Sequence, residues 1–282
     1  VKKTSFVSTC RRLVRAGDEF LARHPKNFHG HAAELLLAAK LPELYDYSEL
    51  VEASFRRGFG HEQNFKAGEF SDLPITIARG DACFIDVYFW RRNPTTIHNH
   101  HFTGAFQCIR GKNLDSEYRF RRGRALTPFH VLGELTELRT REVNPGDVAA
   151  IALQDKFIHQ NHHHGELTVN LCFRTPDHPG KNLANFLYSG LKFEKDHRVL
   201  ARARRLYEFA VMDTIDVEKL EVTLSDAFNF VLNTYGSGSA HPSVLKVQKF
   251  LQKKIARETG VDLAKLLRAH DRRLEEIQSA YE

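Results

Sequence analysis

Ile97-His98-Asn99-His100-His101-Phe102-Thr103-Gly104-Ala105-Phe106-Gln107-Cys108-Ile109-Arg110-Gly111 is the stretch on which the reading of the chain turns. His98 and His100 are two residues apart, so on a strand both rings leave the same face, the geometry that a metal held by neighbouring imidazoles requires. A single close pair of this kind also occurs on surfaces and in cores. A second cluster, His159-Gln160-Asn161-His162-His163-His164, sits between strand-like runs and offers a third neutral imidazole. His98, His100 and His159 together would make a three-histidine metal site with positions left open for water or substrate.

Around this stretch the apolar pattern has a period near two. Short runs at 75–78, 83–90, 98–101, 105–110, 117–120, 129–132, 135–143, 148–153, 157–159 and 167–173 predict strands, punctuated by Pro94, Gly111, Gly123, Pro128, Gly133, Pro145-Gly146 and Gly165. So many short strands in about 100 residues favour a closed antiparallel barrel or sandwich over an α/β sheet. On both sides the period changes to that of helices. Helices are predicted at 4–24, stopped by Pro25, at 31–40 and at 48–57 with Gly58 and Gly60 as the exit. Past Pro176, 180–190 reads as loop or one short helix. Stripes on Leu200, Ala203, Leu206, Ala210 and on Leu220, Leu224, Phe228, Val231 then predict two helices, with Thr223 and Asp226 as a local capping pair. Gly236-Ser237-Gly238-Ser239 is a break, Ser243 is placed as the cap of a helix through 258, and Asp262 as the cap of another through about 279. The resulting division is a helical region over 1–72, a β region with the metal site over 73–178, and a helical region over 179–282 whose helices also form a candidate homodimer surface.

Composition is that of an ordinary globular chain, with 42% hydrophobic and 27% charged residues in 282. The net charge of +6 hints at anionic partners, yet residues 1–72 carry 11 Lys/Arg against 10 Asp/Glu and residues 196–282 carry 14 against 13. The excess therefore lies in the middle, where Arg119, Arg121, Arg122 and Arg124 read as a solvated strand face or hairpin. Nucleic-acid binding would need a fuller basic stripe with interleaved aromatics, and no nucleic-acid partner is expected. Cys10, Cys83, Cys108 and Cys172 are widely spaced and form neither a disulfide framework nor a cysteine zinc site, which suits a reducing compartment. No window approaches the length of a membrane span, so the expected location is cytoplasmic.

With both histidine clusters in hand, the chain resembles the cupin superfamily, and within it the thiol dioxygenases of the cysteine dioxygenase type. His98-Asn99-His100 corresponds to the paired histidines of the first cupin motif and Gly111 to its closing glycine. Gly104 falls where the acidic ligand would sit, a departure that resembles the three-histidine branch. Pro145-Gly146-Asp147 and His159 resemble the second motif, with Gln154-Asp155-Lys156 replacing the glycine and proline before the histidine. His163 follows His159 by four residues, where cupins often carry Asn. Leu171-Cys172-Phe173-Arg174-Thr175-Pro176 resembles the last core strand. The match covers roughly residues 75–176.

This resemblance implies a cupin-type antiparallel β-barrel, a double-stranded β-helix of mainly β class flanked by N-terminal and C-terminal α-helices. It also implies a mononuclear non-haem Fe(II) dioxygenase, with dioxygen and a small polar substrate, an anionic one among the candidates, on the open cis positions. The series of Ser, His and Tyr on the last strand of cysteine dioxygenases is matched here by Asn170, Cys172 and Arg174, so the tyrosine is missing from that strand. Arg174 is a candidate for binding a carboxylate with Asn170 as neutral partner, the alternative being that it pins the Pro176 loop. His163 and Tyr88 complete the candidate catalytic set, Tyr88 as a pocket hydroxyl with a core role as its alternative. His101, His162 and His164 stay unassigned, with His101 and His163 as substitute ligands. Cys108 and His130 read as structural. Three neutral imidazoles suit Fe(II) first, and also Zn, Mn, Ni, Co or Cu. A different metal-dependent reaction, isomerisation or hydrolysis, and a non-catalytic ligand-binding role stand as alternatives.

Overall fold

A computed structural model describes residues 5–56, 59–61, 63, 71–91, 94–212, 215–235 and 241–281. The expected exit at Gly58 and the break at Gly236-Ser237-Gly238-Ser239 lie outside the described residues. Two compact units emerge, one of Val1–Arg119 with Glu137–Lys181 and one of Phe120–Thr136 with Asn182–Glu282.

The first unit opens with α1 (Phe6–Arg23), α2 (Phe28–Ala39), α3 (Leu41–Leu44) and α4 (Tyr47–Arg56). Ser5 starts α1 by accepting from the Ser8 amide while the Ser8 hydroxyl takes the Ser5 amide, so two of the otherwise orphaned donors are satisfied. Strands β1 (Leu73–Arg79), β2 (Phe84–Trp90), β3 (Ile97–His100), β4 (Gly104–Thr127), β5 (His130–Val143), β6 (Val148–Ile151) and β7 (Gln154–Arg174) follow. In this unit β1, β2, β7, β4 and β6 are joined antiparallel in that order, and β3 pairs with the early part of β7.

The expected closed barrel of mainly β class is overturned. Among the described residues β1 and β6 end the row without pairing with each other, so the sheet stays open. The helices also hold more residues than the strands, which makes the class mixed α and β. Closure requires the two edge strands to meet, and β1 is instead turned toward helix: the Asp18 carboxylate of α1 accepts from the amides of Asp81, Ala82 and Cys83 in the β1–β2 turn.

The alternation along β2 and β7 explains what the sheet does. Ile85, Val87, Phe89, Val169, Leu171 and Phe173 face the helices and share one core with Phe6, Leu13, Phe28 and Leu36. The intervening Asp86, Tyr88, Asn170, Cys172 and Arg174 leave the opposite face, in register pairs Asp86 with Cys172 and Tyr88 with Asn170. Both faces are thus buried, and the second is polar.

Strands predicted as separate pieces fuse. β4 runs through Gly111, where φ of +81° and irregular pairing on both sides of Arg110 absorb the break, and β7 runs through Gly165 at the same φ. The segment expected to be loop or helix holds β8 (Ala184–Phe186), which pairs with β9 (Leu191–Glu194). These, with the first residues of β5, belong to the second unit. Its other elements are α5 (His197–Met212), α6 (Leu224–Thr234), α7 (Pro242–Thr259) and α8 (Leu263–Tyr281). Thr223 caps α6 through the Asp226 amide, and Asp262 accepts from the Lys265 amide at the start of α8. The cap of α7 is His241 rather than Ser243, because Pro242 supplies the first helical position, where its missing N–H costs no bond. Arg121 and Arg124 lie on exposed β4, Arg121 paired with Glu134. No described helix is long and apolar enough to cross a membrane.

His130 lies fully buried in the second unit, with Nδ1 2.7 Å from the Thr127 hydroxyl, Nε2 3.4 Å from the Asn229 amide nitrogen, and its ring stacked on Phe228. Burial pushes its pKa down to about 3. The unfolded chain, with a histidine near its ordinary value of about 6.5, binds the extra proton between these two values. The stabilisation is therefore complete above about pH 6.5 and is lost as pH falls toward 3, by about 1.4 kcal/mol per pH unit within the window. Denaturant midpoints at pH 7, 5 and 4 should fall more steeply for the natural protein than for His130→Gln. Parallel slopes would show that folding leaves the His130 pKa unchanged.

Candidate metal centre

His98 and His159 are direct cross-strand partners on β3 and β7, and the irregularity after His98 brings His100 opposite Gln154. Gln154 takes the left-handed backbone, φ 60°, that glycine adopts most readily. The three rings meet with centroids 4.7 to 5.0 Å apart, and one nitrogen from each lies within 4.8 Å of the others. All three residues are buried, at 2%, 3% and 3% exposure.

The tautomers follow from what the outer nitrogens touch. His98 Nδ1 is 2.8 Å from the Thr96 carbonyl oxygen, which can only accept, so Nδ1 carries the proton and Nε2 the lone pair. His159 Nδ1 is 2.8 Å from Oδ1 of Asp115, and its Nε2 is buried with no hydrogen-bond partner. Asp115 is itself fully buried, with Arg141 3.5 Å from its second oxygen. His100 is held neutral: burial and then the neighbouring His98 and His159 push its pKa well below the ordinary range. Phe102, Phe157 and Phe106 pack around these rings. Neutral, oriented imidazoles with a buried nitrogen lacking any other use fit a divalent transition metal.

Gly104, at the place of the missing acidic ligand, has its own steric reason. A Cβ there would lie 2.1 Å from the Phe173 carbonyl oxygen and 2.8 Å from the Arg174 Cα, so no side chain fits while β4 and β7 pair.

A cavity of about 30 Å³ adjoins His100 and His159, walled by Tyr88, Trp90, Thr95, Asn161, Asn170 and Cys172 among others. It has room for about two water-sized groups. Tyr88 donates its hydroxyl to Asp86 at 2.9 Å, and burial followed by the Asp86 charge raises its pKa well above normal, so it stays a phenol. His163 stands behind this wall, stacked on Trp90 at 4.5 Å with both ring nitrogens buried and unpartnered. Burial and the neighbouring His162 and His164 bring its pKa down to about 3. His101 turns to Asp177, 3.0 Å away. Arg174 is paired with Asp86 at 3.3 Å and Asp177 at 3.0 Å, and lies over the rings of Phe84 and Phe102. Cys108 and Cys172 are buried thiols in the same apolar group, both raised to about 12 chiefly by burial.

Asp115, Thr95 and Asn161 were not singled out by sequence reasoning. Asp115 falls between the strands predicted at 105–110 and 117–120, and nothing local ties it to a histidine 44 residues away.

No family model matches this chain, and no curated protein does. Among solved structures it is similar to DMSP lyases RdDddP and RnDddQII, at 12% identity over 64% of this chain and 95% of that one, with a TM-score of 0.32. A sugar phosphate isomerase from a cupin superfamily of Silicibacter pomeroyi matches at 13% identity over 42% and 70%, TM-score 0.27. Oxalate oxidase in complex with glycolate matches at 14% identity over 36% and 45%, TM-score 0.25. The chain spans less than half the length of that oxidase. At such scores the functional reading rests on the residues of this chain.

If Asp115 orients His159, Asp115→Leu should weaken zinc or cobalt binding about 10- to 100-fold in competition with a chelator, and Asp115→Asn, whose carbonyl can still accept from Nδ1, should recover part of it. Undiminished affinity in the leucine variant would remove Asp115 from the centre.

Proposed function

We propose that the chain is a metal-dependent enzyme whose single divalent ion is held by His98, His100 and His159. The observation that carries this is the convergence of three buried imidazole nitrogens within 4.8 Å, of which His159 Nε2 has no other partner. The finer reading is a mononuclear Fe(II) oxygenase acting on a small polar substrate, with Zn, Mn, Ni or Co as other candidate ions. A bound ion would supply Lewis acidity and, as Fe(II), electrons for dioxygen.

A reaction that needs a carboxylate base would find none free at the wall. Among the described residues lining the cavity there is no carboxylate to act as general base, and the nearby Asp86 already accepts from Tyr88, Thr76 and Arg174. Tyr88 and Asn170 border the substrate, Tyr88 as a neutral phenol. His163 acts through Trp90 as a positioning residue. The double pairing of Arg174, with the backbone bonds of Thr175 to Thr103 and His178 to His101, supports its role as the pin of the 175–178 segment.

Metal analysis of protein purified without a chelating tag, followed by oxygen uptake of the Fe(II)-loaded protein across small thiols, amino acids and phenols, tests the reading. His98→Ala and His159→Ala should each lose most bound metal with circular dichroism unchanged; full retention in either would assign the wrong ligands. Turnover with Zn(II) and none with Fe(II) and oxygen would replace oxygenation by hydrolysis or isomerisation.

Arg174→Met should lower stability by about 3–5 kcal/mol, because it leaves the Asp86 carboxylate buried without its cation. The Michaelis constant should be unchanged. A tenfold or larger rise for an acidic substrate, about 1.4 kcal/mol, would restore Arg174 as a substrate ligand.

A further inference from the structure

Asn170 leaves β7 opposite Tyr88 of β2 and Cys108 of β4, and its side chain faces the cavity beside His100 and His159. It is 5% exposed. The amide offers two N–H donors and a carbonyl acceptor, yet it makes no hydrogen bond to another described residue, and Oδ1 is buried without a partner. Buried amides are costly to leave unmatched, so the complement of this one comes from outside the chain.

The surroundings define that complement. Thr95, Asn161, Tyr88 and Cys172 in the wall are uncharged, the two ionisable ones being held in their neutral forms. Arg174, which leaves the same face of β7, is committed to Asp86 and Asp177. A carboxylate ligand would accept from the Asn170 N–H groups but present only acceptors to Oδ1. A hydroxyl or a carboxamide donates and accepts at once.

We propose that Asn170 is a specificity-determining residue: the part of the substrate beside the metal carries an uncharged group that both donates and accepts, a hydroxyl or carboxamide, and not a carboxylate. This rests on the metal centre proposed above and narrows its substrate class. The cavity of about 30 Å³ limits that group to a few non-hydrogen atoms.

The test uses the full chain loaded with Co(II), kept anaerobic, and reads the thiolate-to-cobalt absorption during titration with 2-mercaptoethanol, ethanethiol and mercaptoacetate. The three probes share the sulfur and differ at the far end, which is a hydroxyl, a methyl group or a carboxylate. 2-Mercaptoethanol should bind at least about tenfold more tightly than either of the others. Asn170→Leu should erase that advantage while its cobalt affinity, from chelator competition, stays that of the natural protein. Equal affinities for the three probes, or mercaptoacetate as the tightest, overturn the proposal without recourse to any variant. An advantage that survives in Asn170→Leu overturns it too. Failure of the natural protein to take up Co(II) would remove the metal centre itself, whereas uptake without discrimination removes only the ligand class.

Discussion

The double burial of β7 is the constraint on which the first unit depends. One face, Val169, Leu171 and Phe173, joins the core beneath the N-terminal helices, where Phe28 meets Phe173 edge to face at 5.1 Å. That contact is close enough to require glycine at position 17, whose Cβ would sit 2.6 Å from the Phe173 ring. Because successive side chains alternate, fixing the apolar face fixes the polar one as well, and a slip of one residue would exchange them. Helix packing on one side of the sheet therefore sets the register that aims Asn170 into the cavity on the other. The same strand, earlier in its course, carries His159 opposite His98.

A polar face can be buried this way only if its groups find partners. Most do: Asp86 gathers Thr76, Tyr88 and Arg174, and Asp115 takes His159 and Arg141. Among the described residues lining the cavity, Nδ1 of His100, Nε2 of His159 and Oδ1 of Asn170 are buried without a partner, where an ion and a ligand would come in. Preorganisation of this kind costs stability in the empty protein and returns it when the site is filled.

The histidine centre was legible because its signal is local. A two-residue spacing needs only a strand to bring His98 and His100 to one face, and a late histidine after a Pro-Gly-Asp turn supplies the third position. The helical stripes were legible for the same reason. Strand continuity was not, because Gly111, Gly133 and Gly165 look like terminators and only the paired backbone of a neighbour reveals that the strand passes through them. Closure was still less legible, since whether two edge strands meet is a property of pairing across the sheet and of what occupies the edges, here the Asp18 cap on the β1–β2 turn.

Asp115 marks the limit of local reading most clearly. Its neighbours in sequence give no reason to bury a carboxylate, and its exposure is nil only because β4 lays it against β7. There it faces His159, whose far nitrogen, Nε2, is buried without a partner. The carboxylate holds the proton on Nδ1, which places the lone pair on Nε2, and the orientation of the ring is fixed before any ion arrives. Gly104 admits no side chain, because a Cβ there would meet the β7 backbone at Phe173 and Arg174. The acid stands behind a ligand, and the three converging residues are all imidazoles. The charge of a bound ion would then remain available to whatever occupies the open positions.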